Sequence, residues 1–194
     1  EKNRKFFTDL FQSNPEPYYA GIHGEDDKIW QKQLRKNKRA MPIFFVNNQT
    51  KDYCYKIDKE ITSKIMNFCT ENEYSPATFL FYVYNLTTAK INGNRTNLLP
   101  LAIYNCRTSA LEKNCSGSKV QSLGCYSTID YDQTFADSFK TFMVNQFNYI
   151  KHLGFPDRDF EMLVHKSYRS SWLTNYYSYI YSFLPIALPE GVRI

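Results

Sequence analysis

The sequence has little glycine and no long apolar run. Only 7 of its 194 residues are Gly, which argues against a glycine-rich barrel or a collagen-like chain. The longest apolar runs are residues 79–84 and 98–103. Neither approaches the roughly 18 residues of a membrane-spanning helix, so we expect none. Residues 1–5, with the sequence EKNRK, also lack the apolar core of a signal peptide.

Cysteine and histidine form no recognisable metal site or nucleophile motif. The 5 Cys contain no C-x-x-C pair, so we expect neither a disulfide framework nor a zinc site, and a reducing cytoplasm fits best. His23, His152 and His165 lie in no G-x-S-x-G or H-E-x-x-H context. No phosphate-binding glycine loop occurs either. Each histidine is therefore predicted to have a surface or helix-capping role.

What the chain does have is an excess of aromatic residues. Phe, Tyr and Trp make up 17% of it, and hydrophobic residues make up 43% against 22% charged. This composition predicts a packed core and excludes global disorder. The net charge is 24 − 19 = +5. The basic cluster within 28–39 follows three acids, which is typical of a solvated helix. A docking surface for an acidic partner is one alternative; a nucleic-acid patch is another, but no binding motif supports it.

Hydrophobic periodicity predicts a mixed fold. Helices are predicted at 2–12, 26–37, 59–71, 76–91, 135–151 and 157–166. Strands are predicted at 41–46, 53–57, 98–104, 124–131 and 176–184, and residues 105–122 are predicted to be a loop. Because helices and strands alternate, the fold class is α/β or α+β, with a mixed β-sheet flanked by helices. One domain is expected over 1–194, with 1–50 as lead-in helices and 51–194 as its core.

Local signals refine four of these elements. Asp58, Ser75 and Thr134 are predicted N-caps. The helix at 76–91 is apolar on nearly every side and should run through the core. Pro100 lies inside a predicted strand. Because proline cannot donate a ladder hydrogen bond, that strand is predicted to lie at a sheet edge or to contain a bulge. The long helix at 135–151 is predicted to bury one stripe, formed by Phe135, Phe139, Phe142, Met143, Phe147 and Ile150.

Short motifs follow one another in an order that resembles a known family. They are the helix of residues 1–7 with Pro15-Glu16-Pro17, Ser75-Pro76-Ala77-Thr78, Asn105-Cys106-Arg107 with Leu111-Glu112, residues 123–128 (LGCYST), Thr134-Phe135, and residues 152–156 (HLGFP). In order and spacing they resemble the C-terminal half of a condensation domain of non-ribosomal peptide synthetases, within the chloramphenicol-acetyltransferase-like superfamily. That resemblance covers most of the chain.

The resemblance implies one lobe of a two-lobed amide-forming enzyme. In such a fold, a tunnel between the lobes receives aminoacyl or peptidyl thioesters from donor and acceptor peptidyl carrier proteins. The phosphopantetheine belongs to those carriers, so the chain itself binds no cofactor directly; neither nucleic acid nor membrane is an expected partner. The implied tunnel residues are Gly124, Tyr126, Ser127 and Thr128, with Asn105 and Arg107 bracing the loop beside them.

Alternative roles remain open for two of these residues. A salt bridge from Arg107 to Glu112 would fix the loop without any contact with a substrate. Plain core packing is the alternative for Tyr126.

The sequence differs from the family most clearly in its catalytic motif. The catalytic motif His-His-x-x-x-Asp-Gly is absent, so no catalytic residue is assigned to this chain. Either the chain is an excised C-terminal lobe, which the missing initiator Met favours, or it is a degenerate relative, which Thr128 and Asp130 favour. A catalytically dead binding module and a small-molecule acyltransferase are the alternative functions. An isolated lobe is also expected to self-associate through the apolar face that would meet its N-terminal partner lobe.

Overall fold

Helices and short strands alternate along the part of the chain that the structure describes. The structure is a computed structural model, and it describes residues 1–17, 55–107, 109–114, 119–168 and 180–183. The helices are α1 (Lys2–Ser13), α2 (Lys59–Glu71), α3 (Pro76–Ile91), α4 (Ala110–Lys113), α5 (Phe135–Ile150) and α6 (Asp157–Tyr168). The strands are β1 (Asn97–Leu98), β2 (Leu101–Asn105), β3 (Val120–Gly124), β4 (Ser127–Thr128) and β5 (Ile180–Tyr181). The predicted mixed fold class is confirmed.

The strands form two small sheets, one of them mixed. In the three-stranded sheet β2 lies in the middle, antiparallel to β3 and parallel to β5. Strand β1 pairs with β4 in a separate antiparallel pair. The chain passes from one sheet to the other at Leu99-Pro100, where Pro100 cannot donate a ladder hydrogen bond. The prediction of an edge or bulged strand is therefore wrong, because Pro100 divides the apolar run into two strands and the second is central.

Local capping signals explain where the helices begin and end. The Asp58 carboxylate accepts from the Glu60 backbone N–H at 2.7 Å, and the Thr134 hydroxyl accepts from the Asp137 backbone N–H at 3.2 Å. The predicted caps at Asp58 and Thr134 are thereby confirmed. Ser75 also occupies the N-cap position of α3, but its side chain makes no capping hydrogen bond. Gly93 follows α3 with φ of +73°, a conformation that glycine adopts without steric cost. The helices at 2–12, 59–71, 76–91, 135–151 and 157–166 are all confirmed to within one or two residues.

Most of the aromatic residues that the structure describes lie in or against one core. It joins side chains of α1, α3, the three-stranded sheet, α5 and α6, among them Phe7, Phe11, Phe81, Tyr82, Ala102, Leu123, Phe139, Phe142, Tyr149 and Phe160. The rings meet largely edge to face, as between Phe7 and Phe160, whose centroids are 5.1 Å apart at 87°. This geometry is favourable for aromatic pairs. Helix α3 contributes Phe81 and Tyr82 to this core, and Ala89 further along packs with Leu98 and Ile129 in a second, smaller cluster.

One loop prediction and one strand prediction need correction. Residues 105–122 are not all loop, because α4 begins there with Ser109 as its N-cap and β3 begins at Val120. The strand predicted at 124–131 is displaced, since β3 ends at Gly124 and only Ser127–Thr128 pairs further along. Strand β3 was not predicted because its polar residues interrupt the apolar pattern that indicates a strand.

The remaining strand predictions fall at the margins of the described residues. Residues 55–57 are described and lie in no strand, and Tyr55 is exposed. The helix at 26–37, the strand at 41–46 and residues 53–54 lie outside the described residues. Of the strand at 176–184, the described residues 180–181 pair as β5 and 182–183 do not.

The predicted stripe on α5 is partly wrong. Phe139 and Phe142 are buried and Met143 is half-buried, but Phe135, Phe147 and Ile150 are exposed. The buried face instead includes the polar residues Ser138 and Gln146. Each has a hydrogen-bonding partner in a distant segment: the Tyr82 hydroxyl donates to Ser138 Oγ at 2.7 Å, and Gln146 Oε1 accepts from Tyr104.

Candidate functional site

The bend from Gly124 to Thr128 joins the two sheets and holds four of the six predicted site residues. The Cys125 backbone N–H donates to the carbonyl oxygen of Pro100 at 2.9 Å, and the Ile129 N–H donates to that of Thr96 at 2.7 Å. These bonds fix the bend against the segment that connects α3 to β2. Its shape is therefore set by backbone pairing on both sides of Leu99-Pro100.

Most of the bend is buried within this chain. Gly124, Tyr126 and Ser127 are buried, whereas Thr128 is exposed and donates its hydroxyl to Asn97 Oδ1 at 3.2 Å. The Tyr126 ring is part of the main core, which agrees with the core-packing alternative. Its hydroxyl donates to the carbonyl oxygen of Pro15 at 2.8 Å, and its own carbonyl accepts from the Tyr149 hydroxyl at 3.2 Å. The role of the bend as a tunnel wall stays a prediction.

Behind the bend lies a buried polar cluster that sequence reasoning missed. The Tyr104 hydroxyl donates to Gln146 Oε1 at 2.7 Å and lies 3.0 Å from the Cys125 sulfur. Tyr104 comes from β2, Cys125 from the bend and Gln146 from α5, so three elements meet there. The one available signal was Gln146, which falls between Phe142 and Tyr149 on the core side of α5.

The cluster is uncharged at neutral pH. Burial raises the pKa of the Cys125 thiol to about 12, although hydrogen bonds from Tyr104 and Gln146 partly oppose the shift. Burial likewise raises the pKa of the Tyr104 and Tyr149 hydroxyls well above their usual value. Because a reactive cysteine needs an accessible thiolate, Cys125 is not a nucleophile. The cluster positions the bend and carries no acid–base chemistry.

Asn105 and Arg107, the other two predicted site residues, lie outside the bend, at and just after the end of β2. Asn105 Oδ1 accepts from the Arg107 backbone N–H at 3.1 Å, and Arg107 Nε donates to the carbonyl oxygen of Glu112 at 3.1 Å. The two residues thus brace the connection from β2 to α4. The Glu112 carboxylate receives the Ser109 backbone N–H and the Lys119 ammonium.

The strand register separates these two residues from the bend. Asn105 pairs with Val120 at the start of β3, whereas Gly124 pairs with Leu101 at the start of β2. At about 3.4 Å per residue, the two ends of β2 are roughly 13 Å apart. Asn105 and Arg107 therefore brace a loop at the other end of β2 from the bend, and their place beside a substrate tunnel stays a prediction. The sequence could not reveal this because β3 was not recognised.

His152 has a structural role, because it contacts two residues of α1. It follows α5, its ring stacks on Phe6 with centroids 3.9 Å apart at 10°, and its Nδ1 lies 3.0 Å from Asn3 Oδ1. Burial, together with the nearby charges of Lys2 and Lys151, lowers the pKa of the imidazole. It therefore joins α1 to α5 as a neutral ring. His23 lies outside the described residues, and His165 lies in α6.

The described residues contain no cluster of His, Cys, Asp and Glu that could hold a metal ion. Among the helices of those same residues, none is long and apolar enough to cross a membrane. No family model matches the chain, and no curated protein matches it.

Proposed function

We propose that this chain is the C-terminal lobe of a non-ribosomal peptide synthetase condensation domain, and that it contributes tunnel wall and carrier-protein contacts to amide formation. The observation that carries the proposal is the order of the short motifs together with their convergence in one core. The catalytic histidine would come from the partner lobe of the same protein. The setting would be the cytoplasm.

Contacts between distant motif segments support the proposal. The Tyr126 hydroxyl reaches the carbonyl oxygen of Pro15, 111 residues away along the chain. Phe7 stacks against Phe155 with centroids 5.2 Å apart. Segments that resemble separate family motifs therefore pack against one another rather than lying scattered over the surface. This is the arrangement expected if the motifs describe one fold.

A second contact joins two further motif segments. Phe79, in the helix that follows Ser75-Pro76, meets Phe135 at the start of α5 with centroids 6.0 Å apart. The helices α3 and α5 thus pack side by side at the end where both motifs begin. Of the six motifs, only the one at Asn105-Cys106-Arg107 lies away from these contacts, at the far end of β2.

The chemistry assigns a passive role to this lobe. In condensation the neutral acceptor amine attacks the donor thioester carbonyl; a C–N bond forms, the C–S bond breaks, and the phosphopantetheine sulfur leaves as a thiol after taking up the proton. Holding the two reactants in line supplies much of the rate. The groups at the bend suit a rigid wall, since Cys125 and Tyr149 are buried, Tyr104 is half-buried, and the pKa of each is raised. A base must therefore come from outside the bend.

The proposal is tested first in the reading frame that encodes the chain. A His-His-x-x-x-Asp-Gly motif is expected about 100–150 residues upstream, the size range of one lobe. Its absence there would contradict the enzyme assignment.

The second test is a pull-down of this chain with a purified peptidyl carrier protein in two forms, with and without phosphopantetheine. Binding of the carrier is the expected result, and an unrelated acidic protein of similar size is the control. No binding of either form would argue against carrier contacts on this lobe.

A further inference from the structure

The outward face of α5 carries an apolar stripe with a lysine at each end. Lys140, Val144, Phe147 and Lys151 follow one another at spacings of four, three and four residues, so they lie along one side of the helix. All four are exposed, with Val144 at 60% and Phe147 at 64%. We call these four residues the α5 stripe. Ile150, 46% exposed, widens it towards the end of the helix.

The charge beside the stripe is mostly positive. Residues 138–151 contain two lysines and no Asp or Glu, and Asp137 lies three residues before Lys140. Lys2 at the start of α1 and Lys151 both lie near His152, whose pKa their charges lower. The stripe therefore spans about three helical turns, with two apolar side chains at its centre and a lysine at each end.

We propose that the α5 stripe docks an acidic amphipathic helix of a partner protein. An apolar helix face buries its residues at i, i+3 or i+4 and i+7 against a partner helix. Acids flanking that face would meet Lys140 and Lys151, as charges beside a helix–helix seam do. With two exposed apolar side chains at its centre, the contact is small, which is typical of a transient complex. The inference does not depend on the proposed function.

The probe is a fluorescein-labelled 18-residue amphipathic peptide with leucines on one face and glutamates flanking them. Its binding to the full chain is followed by fluorescence anisotropy. We expect binding that weakens as salt is added, because salt screens exposed charges. The same peptide with lysines in place of the glutamates should bind at least about tenfold more weakly, a difference of about 1.4 kcal/mol.

Two variants locate the binding site. Phe147→Gln should weaken binding of the acidic peptide about tenfold, and the double variant Lys140→Glu with Lys151→Glu should reverse the preference between the two peptides. The matched controls are Ile91→Gln and Lys90→Glu at the end of α3, where Ile91 is 75% exposed. Neither control should change binding. Because all these positions are exposed, the variants should keep their fold, which circular dichroism checks.

Three outcomes would overturn the proposal. Equal binding of both peptides to every variant would show that the stripe is not the site. A dimer seen by sedimentation velocity and abolished by Phe147→Gln would make a second copy the occupant. A peptide that fails to bind, while a Trp introduced by Phe147→Trp is shielded from acrylamide, would mean that another segment of this chain covers the stripe.

Discussion

The two faces of α5 are both aromatic, yet one holds the fold together and the other does not. Phe139 is fully buried, and its ring lies 5.0 Å from that of Tyr74 and 5.4 Å from that of Tyr82. Phe147, eight residues later, is exposed. The same residue type on the same helix therefore has two different roles. What decides between them, within the described residues, is that α3 and the sheet pack against the Phe139 side.

The largest expected effect comes from the inner face. Phe139→Ala should lower the free energy of unfolding by about 3–5 kcal/mol, because it removes a buried ring and leaves a cavity. Phe147→Ala, the matched change on the outer face, should stay within about 0.5 kcal/mol of the parent. Urea denaturation of both variants makes the comparison. Equal losses would contradict the assignment of the two faces.

A smaller effect is expected from the hydrogen bond that ties the inner face to the bend. Tyr149→Phe removes the donor to the Tyr126 carbonyl and leaves that carbonyl buried without it. The cost should be about 1–3 kcal/mol in urea denaturation. Tyr55→Phe, at an exposed position, is the control and should cost nothing measurable. A loss as small as that of the control would mean that the bond contributes little to the bend.

The smallest effect is pH-dependent and concerns the end of α5. The pKa of His152 is lowered in the folded chain by burial and by Lys2 and Lys151, so the unfolded chain binds a proton there more readily. Stability from this site is therefore present above about pH 6.5, the ordinary pKa of histidine, and is lost as the pH falls through the lower folded value.

This pH effect is measured by comparing thermal unfolding of the parent chain and His152→Gln from pH 7.5 to 5. The parent should lose more stability on acidification than the variant does. Other groups titrate in the same range, so the difference between the two proteins is the quantity that matters. Parallel curves would contradict a coupling between His152 and folding.

Helices were predictable from the sequence because their signals are local. The Asp58 cap lies directly before α2, Gly93 lies two residues after α3, and the apolar residues of α3 lie within the helix itself. The phase of α5 was harder to predict. Counting apolar residues placed Phe147 inside, whereas Gln146 is inside because Tyr104, 42 residues away, supplies its hydrogen bond.

The strands were less predictable for the same reason. Strand β3 is polar at Gln121 and Ser122, and these residues are accommodated by partners more than 30 residues away. Gln121 Oε1 accepts the Gly154 backbone N–H at 2.6 Å, and Ser122 donates to Asp157 at 3.3 Å. Of the candidate site, the bend at 124–128 was located by motif, but its separation from Asn105 follows from a strand register that no local pattern specifies.

The most direct measurement of the proposed function is amide formation by the protein that the reading frame of this chain encodes. Donor and acceptor carrier proteins are loaded with aminoacyl groups, mixed with that protein, and the acceptor carrier is analysed by mass spectrometry. The proposal predicts a dipeptidyl group on the acceptor carrier, lost when the second histidine of the upstream motif is replaced by alanine. Binding of both carriers with no amide product would contradict it and would make the chain part of a non-catalytic binding module.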